Sequence, residues 1–278
     1  MAAKLRTKAE YDAAPTSMDS LKAGVIELMT RLGDVADEVV IVGGFAPVLL
    51  FADAEVPPTG TLDVDLGLSL AMLAEDRYQA LEDRLAAAGF EPDTNDKGNP
   101  SPQRWTSAPP GSLVVVDLLM PAFEGGPPPG KPQFLTKRLA AFVIPGIELA
   151  HQDVVRIMLR GAALGGGQAE RKVSVCGPGA FVVLKALAFA NRGEGKDAHD
   201  LIYALECAGH DDVARRIGSF PTSPHLERAL ETLRGDFLSA DGIGPVRVAQ
   251  FRSVGPSQNL QAEAASRVRE LLRKLDRG

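Results

Sequence analysis

The sequence has little cysteine and little histidine, and each shortage excludes a kind of site. Its two cysteines, Cys176 and Cys207, are too few for a disulfide framework or a zinc site, so we expect each to be a small core residue. The four histidines are scattered along the chain without the spacing of metal ligands. These shortages argue against a zinc protein and against a disulfide-stabilised one.

Long apolar runs and an excess of positive charge are also missing. No run of about 18 apolar residues exists, so we expect no membrane-spanning helix. Residues 1–16 contain charges and no apolar stretch typical of a signal peptide, which favours a cytoplasmic protein. The net charge of −6 gives no bulk signal of a nucleic-acid binder, although a local basic patch can exist on an acidic chain.

The chain is long enough for one large or two small domains, and its pattern changes near the middle. The first half alternates predicted helices and strands, and the second half is mainly helical. We therefore predict an α/β domain over residues 17–150 and a mainly helical domain over residues 151–278. Predicted helices cover residues 17–32, 45–51, 73–88, 179–191, 197–208, 210–217, 224–233 and 261–275; predicted strands cover residues 38–42, 63–68, 113–119, 154–159 and 172–175.

A glycine pair follows the first predicted strand. The apolar run Val39 to Val42 leads directly into Gly43-Gly44, and a short predicted helix comes next. Glycine lets the backbone approach a phosphate closely, and a helix N-terminus offers free N–H groups to an anion. The pair matches neither a dinucleotide-binding motif nor a P-loop, and on its own it is also typical of a simple tight turn.

Three aspartates lie within β-forming sequence. Asp63 and Asp65 are two residues apart in one predicted strand, so their carboxylates point to the same face. Asp117 lies in an apolar run, where an unpartnered charge is costly. Close carboxylates repel unless a cation neutralises them, and Mg²⁺ prefers carboxylate oxygens together with phosphates and water. The acids therefore predict a two-metal Mg²⁺ site, and the alternative is a solvated strand edge.

Together these features resemble the nucleotidyltransferase superfamily of the DNA polymerase β type. The second half narrows the resemblance to the AbiEii-type nucleotidyltransferases, which include toxins of type IV toxin–antitoxin systems and phage-defence proteins. The resemblance covers about residues 39–205. The matching motifs are Gly43-Gly44, Thr61-x-Asp63-x-Asp65, Val116-Asp117-Leu118-Leu119, Lys185 followed by Arg192, and Lys196-Asp197-x-x-Asp200-Leu201.

The resemblance implies a nucleotidyltransferase-like mixed sheet with flanking helices, followed by a helical domain. It implies transfer of a nucleoside monophosphate from an NTP to an acceptor hydroxyl with two Mg²⁺ ions, or with Mn²⁺. A tRNA is one candidate acceptor, a protein hydroxyl or a small molecule such as an antibiotic are others, and an antitoxin protein is a candidate partner. By position, the resemblance assigns catalysis and metal binding to Asp63, Asp65 and Asp117, nucleotide binding to Gly43, Gly44, Phe45, Thr61, Lys185 and Arg192, and support of the site to Lys196, Asp197 and Asp200.

The chain departs from the family pattern at two positions. Phe45 stands where many members carry Ser or Thr, and Thr59 stands where many carry Arg. These changes remove phosphate contacts and leave the acids in place. They favour an alternative to the active enzyme, in which the same fold is a weakened module that binds a nucleotide or a partner. A structural protein with incidental acids is the third hypothesis.

Simpler explanations compete for three further features. Trp105 either stacks a base or anchors the core, and we favour the core. Lys185 lies on an apolar helix, so it either contacts phosphate or extends along the helix to solvent. The basic residues of the last predicted helix alternate with acids, which is typical of a solvated face, with RNA contact as the alternative.

Overall fold

The computed structural model describes residues 7–9, 18–61, 63–75, 77–94, 97–107, 114–162, 167–253 and 257–277. Contacts divide the chain into two units, which we call the sheet unit and the helical unit. The sheet unit comprises Ala14–Ala46 and Thr61–Cys176; the helical unit comprises Met1–Ala13, Pro47–Gly60 and Gly177–Gly278.

The boundary predicted after residue 150 moves to residue 176, because the strands that follow residue 150 pair with the sheet. The sequence also did not predict that Pro47–Gly60 contacts the helical unit rather than the sheet unit. A division of the chain into a sheet-containing part and a helical part is nevertheless present.

Short helices and strands alternate along the sheet unit. The helices are α1 (Met18–Leu32), α2 (Ala46–Leu50), α3 (Arg77–Ala87) and α4 (Ile147–Gln152), with 3₁₀ turns at Gly33–Glu38, Gly43–Phe45 and Leu70–Glu75. The strands are β1 (Val39–Val42), β2 (Val64–Leu68), β3 (Glu91–Thr94), β4 (Pro100–Ser107), β5 (Val114–Met120), β6 (Pro132–Phe134), β7 (Ala140–Val143), β8 (Val154–Ala162) and β9 (Gln168–Cys176).

The nine strands of the described residues form one open, mixed sheet. Their order is β3-β4-β5-β2-β1-β9-β8; β7 also pairs with β5, and β6 pairs with β7. Strand β1 is antiparallel to β2 and parallel to β9, whereas β2 is parallel to β5. The α/β class and a mixed sheet are therefore confirmed for the first part of the chain.

Apolar sequence places the core of the sheet unit where periodicity predicts it. Every residue of β1, the run Val39–Val42, is buried, as expected for a β-branched strand covered on both faces. Helix α1 buries Leu21, Val25, Leu28 and Leu32, which recur at helical spacing. Trp105 is fully buried and its indole N–H donates to the carbonyl of Pro102 at 3.0 Å, so the core interpretation is confirmed.

Helix α2 begins at the end of the sheet unit and continues from Pro47 into the helical unit, where six longer helices follow in the described residues. They are α5 (Pro178–Arg192), α6 (Gly195–Ala208), α7 (His210–Gly218), α8 (Pro224–Asp236), α9 (Ile243–Arg252) and α10 (Gln258–Leu275). Pro178 opens α5, as expected for a residue with no N–H to leave unpaired, and Gly193 ends it in the left-handed region at φ 66°. Five of the six helices were predicted, each now longer by one to three residues at one or both ends, and α9 was not.

Several predicted elements differ in detail. The helix predicted over residues 73–88 is divided into a 3₁₀ turn and α3. Strands β3, β6 and β7 and helix α4 were not predicted. Ser17 and Leu113, where two predicted elements begin, lie outside the described residues. None of the helices in the described ranges combines the length and the apolar character that crossing a bilayer requires.

Candidate functional site

The predicted acids of the sheet unit lie in register across neighbouring strands. Val42 of β1 is opposite Asp65 of β2, Asp65 is opposite Asp117 of β5, and Asp117 is opposite Arg104 of β4. Residues directly opposite one another on paired strands present their side chains on the same face. The sheet therefore places two carboxylates and one guanidinium side by side, immediately beside the end of β1.

Asp63 joins this row from the residue just before β2. Its side chain is 31% exposed, and the Thr61 hydroxyl donates to Asp63 Oδ1 at 3.2 Å. Thr61 is itself buried, so it holds the Asp63 carboxylate from the protein side. The structure thus gives Thr61 an orienting role; its predicted contact with a nucleotide stays a prediction.

Arg104 pairs with two of the three acids. Its Nε donates to Asp117 Oδ1 at 2.7 Å and its Nη2 donates to Asp117 Oδ2 at 2.5 Å, while Nη2 also lies 3.3 Å from Asp63 Oδ2. The hydrogen bonds to Asp117 hold the pKa of Arg104 above its usual range. Asp117 therefore has a cationic partner within the protein itself, as a charge in an apolar strand requires.

Sequence reasoning missed Arg104, although a signal for it existed. Side chains alternate between the two faces of a strand, so burying Trp105 on one face puts Arg104 on the other. The acid-bearing face could therefore have been assigned a guanidinium once β4 was known to neighbour β5. That neighbour relation is the step that local sequence does not contain.

The residue types at this face fit a divalent cation better than their arrangement does. Carboxylate oxygens are the ligands that Mg²⁺ prefers. However, no group of three or more His, Cys, Asp or Glu side chains within the described ranges is placed to hold a metal ion. The Arg104 side chain is 40% exposed, so a movement of this long side chain toward solvent would release both Asp63 and Asp117 to a cation.

Gly43 is required by both its conformation and its neighbour. It has φ 66°, in the left-handed region that side chains disfavour. A Cβ built on Gly43 would lie 1.7 Å from Asp65 Oδ2, so a larger residue would displace that carboxylate. The predicted glycine turn is confirmed as a 3₁₀ turn over Gly43–Phe45, and its first residue packs directly against one of the predicted acids.

The remaining residues of the turn are less suited to phosphate. Phe45 has no exposed surface, so its side chain belongs to the core. Helix α2, which follows Gly44 and Phe45, has only five residues, and so short a helix adds little to the field that an anion would feel. Contact of Gly44 or Phe45 with a nucleotide would have to come from backbone N–H groups, and it stays a prediction.

The other five predicted residues form a buried ion cluster in the helical unit. The cluster consists of Lys185 and Arg192 on α5 with Lys196, Asp197 and Asp200 on α6. Lys185 Nζ lies 3.2 Å from Asp197 Oδ1 and 2.7 Å from Asp200 Oδ2. Arg192 donates twice to Asp197, at 2.6 and 2.8 Å, and Lys196 donates to Asp200 at 2.9 Å.

Burial and neighbouring charges shift the pKa values of the cluster in opposite directions. Burial alone disfavours the Lys185 ammonium, but the carboxylates of Asp200 and Asp197 outweigh it and raise the pKa of Lys185. Burial likewise disfavours the Asp200 carboxylate, yet Lys185 and Lys196 hold the pKa of Asp200 below its usual range. Lys185 and Asp200 are therefore charged at neutral pH, and their pairing joins α5 to α6.

This arrangement changes the interpretation of Lys185. It neither extends to solvent nor presents a bare ammonium, since its side chain is 9% exposed and faces two carboxylates. The role of Lys196, Asp197 and Asp200 as supporting residues agrees with their place in the cluster. A contact of Lys185 or Arg192 with a triphosphate stays a prediction.

Searches against protein-family models and curated proteins find no match for the chain. The candidate site is therefore defined by its own geometry. Asp63, Asp65, Asp117, Gly43 and Thr61 come together in the sheet unit, and Lys185, Arg192, Lys196, Asp197 and Asp200 come together in the helical unit.

Proposed function

We propose that the chain is a Mg²⁺-dependent nucleotidyltransferase of the AbiEii type, built on a nucleotidyltransferase-like sheet. The observation that carries the proposal is the register of Asp65 with Asp117 on adjacent parallel strands, with Gly43 packed against Asp65. A glycine turn and two carboxylates at one point on a sheet bring a backbone that can approach phosphate next to oxygens that can hold a cation.

Each residue of the sheet unit has a distinct role in this proposal. Asp63, Asp65 and Asp117 would hold Mg²⁺, which offsets charge on the triphosphate of the NTP. Gly43 fixes the position of Asp65, and Thr61 orients Asp63 through its hydroxyl. Asp117 Oδ1 accepts the proton of the attacking acceptor hydroxyl once Arg104 has moved away from it.

The helical unit supplies rigidity in this scheme. The buried ion cluster fixes α5 against α6, and contact of Arg192, whose side chain is 57% exposed, with a phosphate stays a prediction. The acceptor class that we propose is an RNA 3′ end, with tRNA as the first candidate. A type IV antitoxin protein remains the proposed partner.

Label transfer from an NTP tests the function directly. Purified protein is incubated with Mg²⁺, total tRNA and each of the four α-labelled NTPs in turn. We expect label on RNA with one or two of the NTPs, and none when EDTA replaces Mg²⁺. Label on the protein itself would support transfer but contradict the RNA acceptor, and release of no pyrophosphate with any NTP or acceptor would contradict the enzyme.

A specific observation favours a second candidate, the binding module that does not turn over. Arg104 already neutralises Asp117 and Asp63, so these acids are satisfied without a metal. In that case the row of side chains is a structural ion pair on a sheet face. The two candidates differ in what happens when the guanidinium is removed.

Replacing Arg104 by methionine separates the candidates through stability. The variant loses charge-assisted hydrogen bonds to Asp117, so we expect its free energy of unfolding to fall by about 1–3 kcal/mol in EDTA. If the acids are a metal site, Mg²⁺ should bind the variant and restore the melting temperature, because a ligand of the native state stabilises it. The measurement is thermal unfolding of wild type and variant with EDTA, Mg²⁺ or Mn²⁺.

Arg84→Met is the matched control, because Arg84 pairs with Asp34 at an exposed position and away from the acid row. It should lower stability by less than about 1 kcal/mol and gain nothing from Mg²⁺. An Arg104→Met protein that Mg²⁺ and Mn²⁺ leave equally unstable would count against the metal site and for a structural ion pair whose acids are incidental; the binding module additionally requires an NTP to bind without pyrophosphate release.

A further inference from the structure

A short hairpin at one edge of the sheet presents an exposed aromatic ring among cations. It consists of β6, β7 and the residues that join them, and we call residues 130–143 the basic hairpin. Strand β6 pairs with β7 only, so within the described part of the sheet it forms an outer edge. This surface has no part in the site described above.

The charge of the basic hairpin differs from that of the whole chain. Residues 125–147 contain Lys131, Lys137 and Arg138 and no Asp or Glu, in a chain of net charge −6. All three cationic side chains are exposed. The described residues provide no ion-pair partner for Lys131 or Lys137, whereas the exposed Arg156 and Arg160 of the same unit each have one. Their positive charge is therefore directed to solvent.

Phe134 lies between these cations in the sequence and on the surface of β6. It is 59% exposed and is the one aromatic residue among the large exposed apolar side chains in the described ranges. An exposed phenylalanine side chain forgoes the free energy that its burial would give. An exposed phenylalanine therefore indicates a contact surface more often than an exposed aliphatic residue does. Phe134 thus offers an exposed ring three residues in sequence from Lys131 and three from Lys137.

Hydrogen bonds order the backbone that carries Phe134. The amide of Gly130 donates to the carbonyl of Val143 at 2.8 Å, and the amide of Leu135 donates to the carbonyl of Leu139 at 2.9 Å. At the turn, the Thr136 hydroxyl donates to the buried carboxylate of Glu82, and its oxygen accepts from the Leu139 amide at 3.0 Å. The one acid seen to contact the hairpin is therefore already bound and lies beneath the surface.

Arg138 adds order to the turn of the hairpin. Its guanidinium carbon lies 5.7 Å from the centroid of the Trp105 ring, and Trp105 is fully buried. A cation stacked on a fixed ring loses less freedom when a ligand binds, because part of its position is already set. The hairpin is thus a preorganised surface with one exposed ring and three cations.

We propose that the basic hairpin binds single-stranded nucleic acid, with a base stacked on Phe134 and backbone phosphates at Lys131 and Lys137. Exposed aromatic rings beside cations are the combination that single strands need, since every base has a stacking face and every linkage has a negative charge. Double-stranded nucleic acid would not present a free base to the ring. An acidic peptide would use the cations and leave Phe134 without a partner.

This inference deepens the proposed function, because it gives the RNA acceptor a binding surface, but its test does not depend on transfer. Binding of a labelled single-stranded RNA of about 12 nucleotides is followed by fluorescence anisotropy in EDTA, without NTP. We expect Phe134→Ala to weaken binding by about 5- to 100-fold, the range that loss of one base stack gives. Lys131→Ala with Lys137→Ala should reduce the slope of log K against log salt by about 1.4.

Two variants on the exposed face of the β8–β9 hairpin serve as matched controls. Met158→Ala removes another exposed apolar side chain and Lys172→Ala removes another exposed cation, so neither should change binding by more than about 2-fold. Equal binding of wild type and Phe134→Ala, or tighter binding of duplex than of single strand, would overturn the proposal. Competition by polyglutamate as strong as by RNA would show a site for an acidic protein instead.

The outcomes distinguish this proposal from the enzymatic one. If no transfer occurs but Phe134→Ala weakens RNA binding, the hairpin surface stands and the nucleotidyltransferase proposal fails. If transfer proceeds and the hairpin variants bind RNA as wild type does, the enzyme stands and the hairpin proposal fails.

Discussion

Replacing Asp200 by alanine is expected to destabilise the protein by about 3–5 kcal/mol, the cost of leaving a buried charge without its partner. Asp200 is 4% exposed and receives Lys185 at 2.7 Å and Lys196 at 2.9 Å. The buried ion cluster has three cations and two carboxylates, so removal of one carboxylate raises its excess positive charge from one to two and leaves the Lys185 ammonium with one carboxylate. The free energy of unfolding in urea, followed by circular dichroism, measures this cost.

Lys185→Met should lower the free energy of unfolding by less than Asp200→Ala does. Without Lys185, Arg192 still pairs with Asp197 and Lys196 still pairs with Asp200, so two cations face two carboxylates. Methionine also fills much of the space of the lysine side chain. Asp211→Ala is the control, since Asp211 is an exposed partner of Lys274 and its loss should cost less than about 1 kcal/mol. Equal losses for all three variants would contradict the charge count.

The pH dependence of the Asp200 contribution follows from the direction of its shift. Its pKa in the folded protein lies below the ordinary value of 3.8, because the attraction of the lysines exceeds the opposing effect of burial. The unfolded chain therefore binds the proton more readily, and the contribution is complete above about pH 4. As pH falls from 3.8 toward the folded pKa, that contribution is lost, so wild type and variant should converge in acid.

Elements with strong apolar periodicity were predictable, and irregular ones were not. Strand β1 consists of β-branched residues, β5 is apolar except for Asp117, and α1 repeats its apolar residues at helical spacing. Strand β3 reads Glu91-Pro92-Asp93-Thr94 and is half exposed, so only its pairing with β4 makes it a strand. Helix α9 contains Gly244 and Pro245 in its first turn and lacks an amphipathic pattern. Tertiary contacts therefore determine the conformation of both β3 and α9.

The candidate site was predictable in residue types but not in partners. The spacing of Asp63 and Asp65 shows that they share a face, whereas the pairing of Asp65 with Asp117 depends on a strand order that no local pattern contains. Arg104 lies 13 residues from Asp117 in sequence and reaches it only through the β4–β5 pairing. Lys185 and Asp197 are 12 residues apart and meet because α5 turns back into α6. Long-range pairing is therefore the part of the site that the sequence alone does not predict.

Asp65→Asn should abolish nucleotide transfer while leaving the fold intact. Asparagine has the shape of aspartate, so it can keep the close packing against Gly43, but it removes the charge that would hold a cation beside phosphate. Loss of one group that stabilises developing charge costs about 100- to 1,000-fold in turnover, and we expect at least that loss here. Label transfer from the preferred NTP measures it, and the melting temperature in EDTA reports the fold.

Asp37→Asn provides the matched control for this loss, because Asp37 is an aspartate of the same unit whose side chain is 78% exposed and 3.9 Å from Arg156. It should retain full transfer and full stability, as expected for a weak surface pair. Asp65→Asn should also bind single-stranded RNA as tightly as wild type, because the basic hairpin is unchanged. Full transfer by Asp65→Asn would show that this carboxylate holds no catalytic cation, whereas loss of transfer together with a lower melting temperature would assign Asp65 to the structure of the Gly43 turn instead.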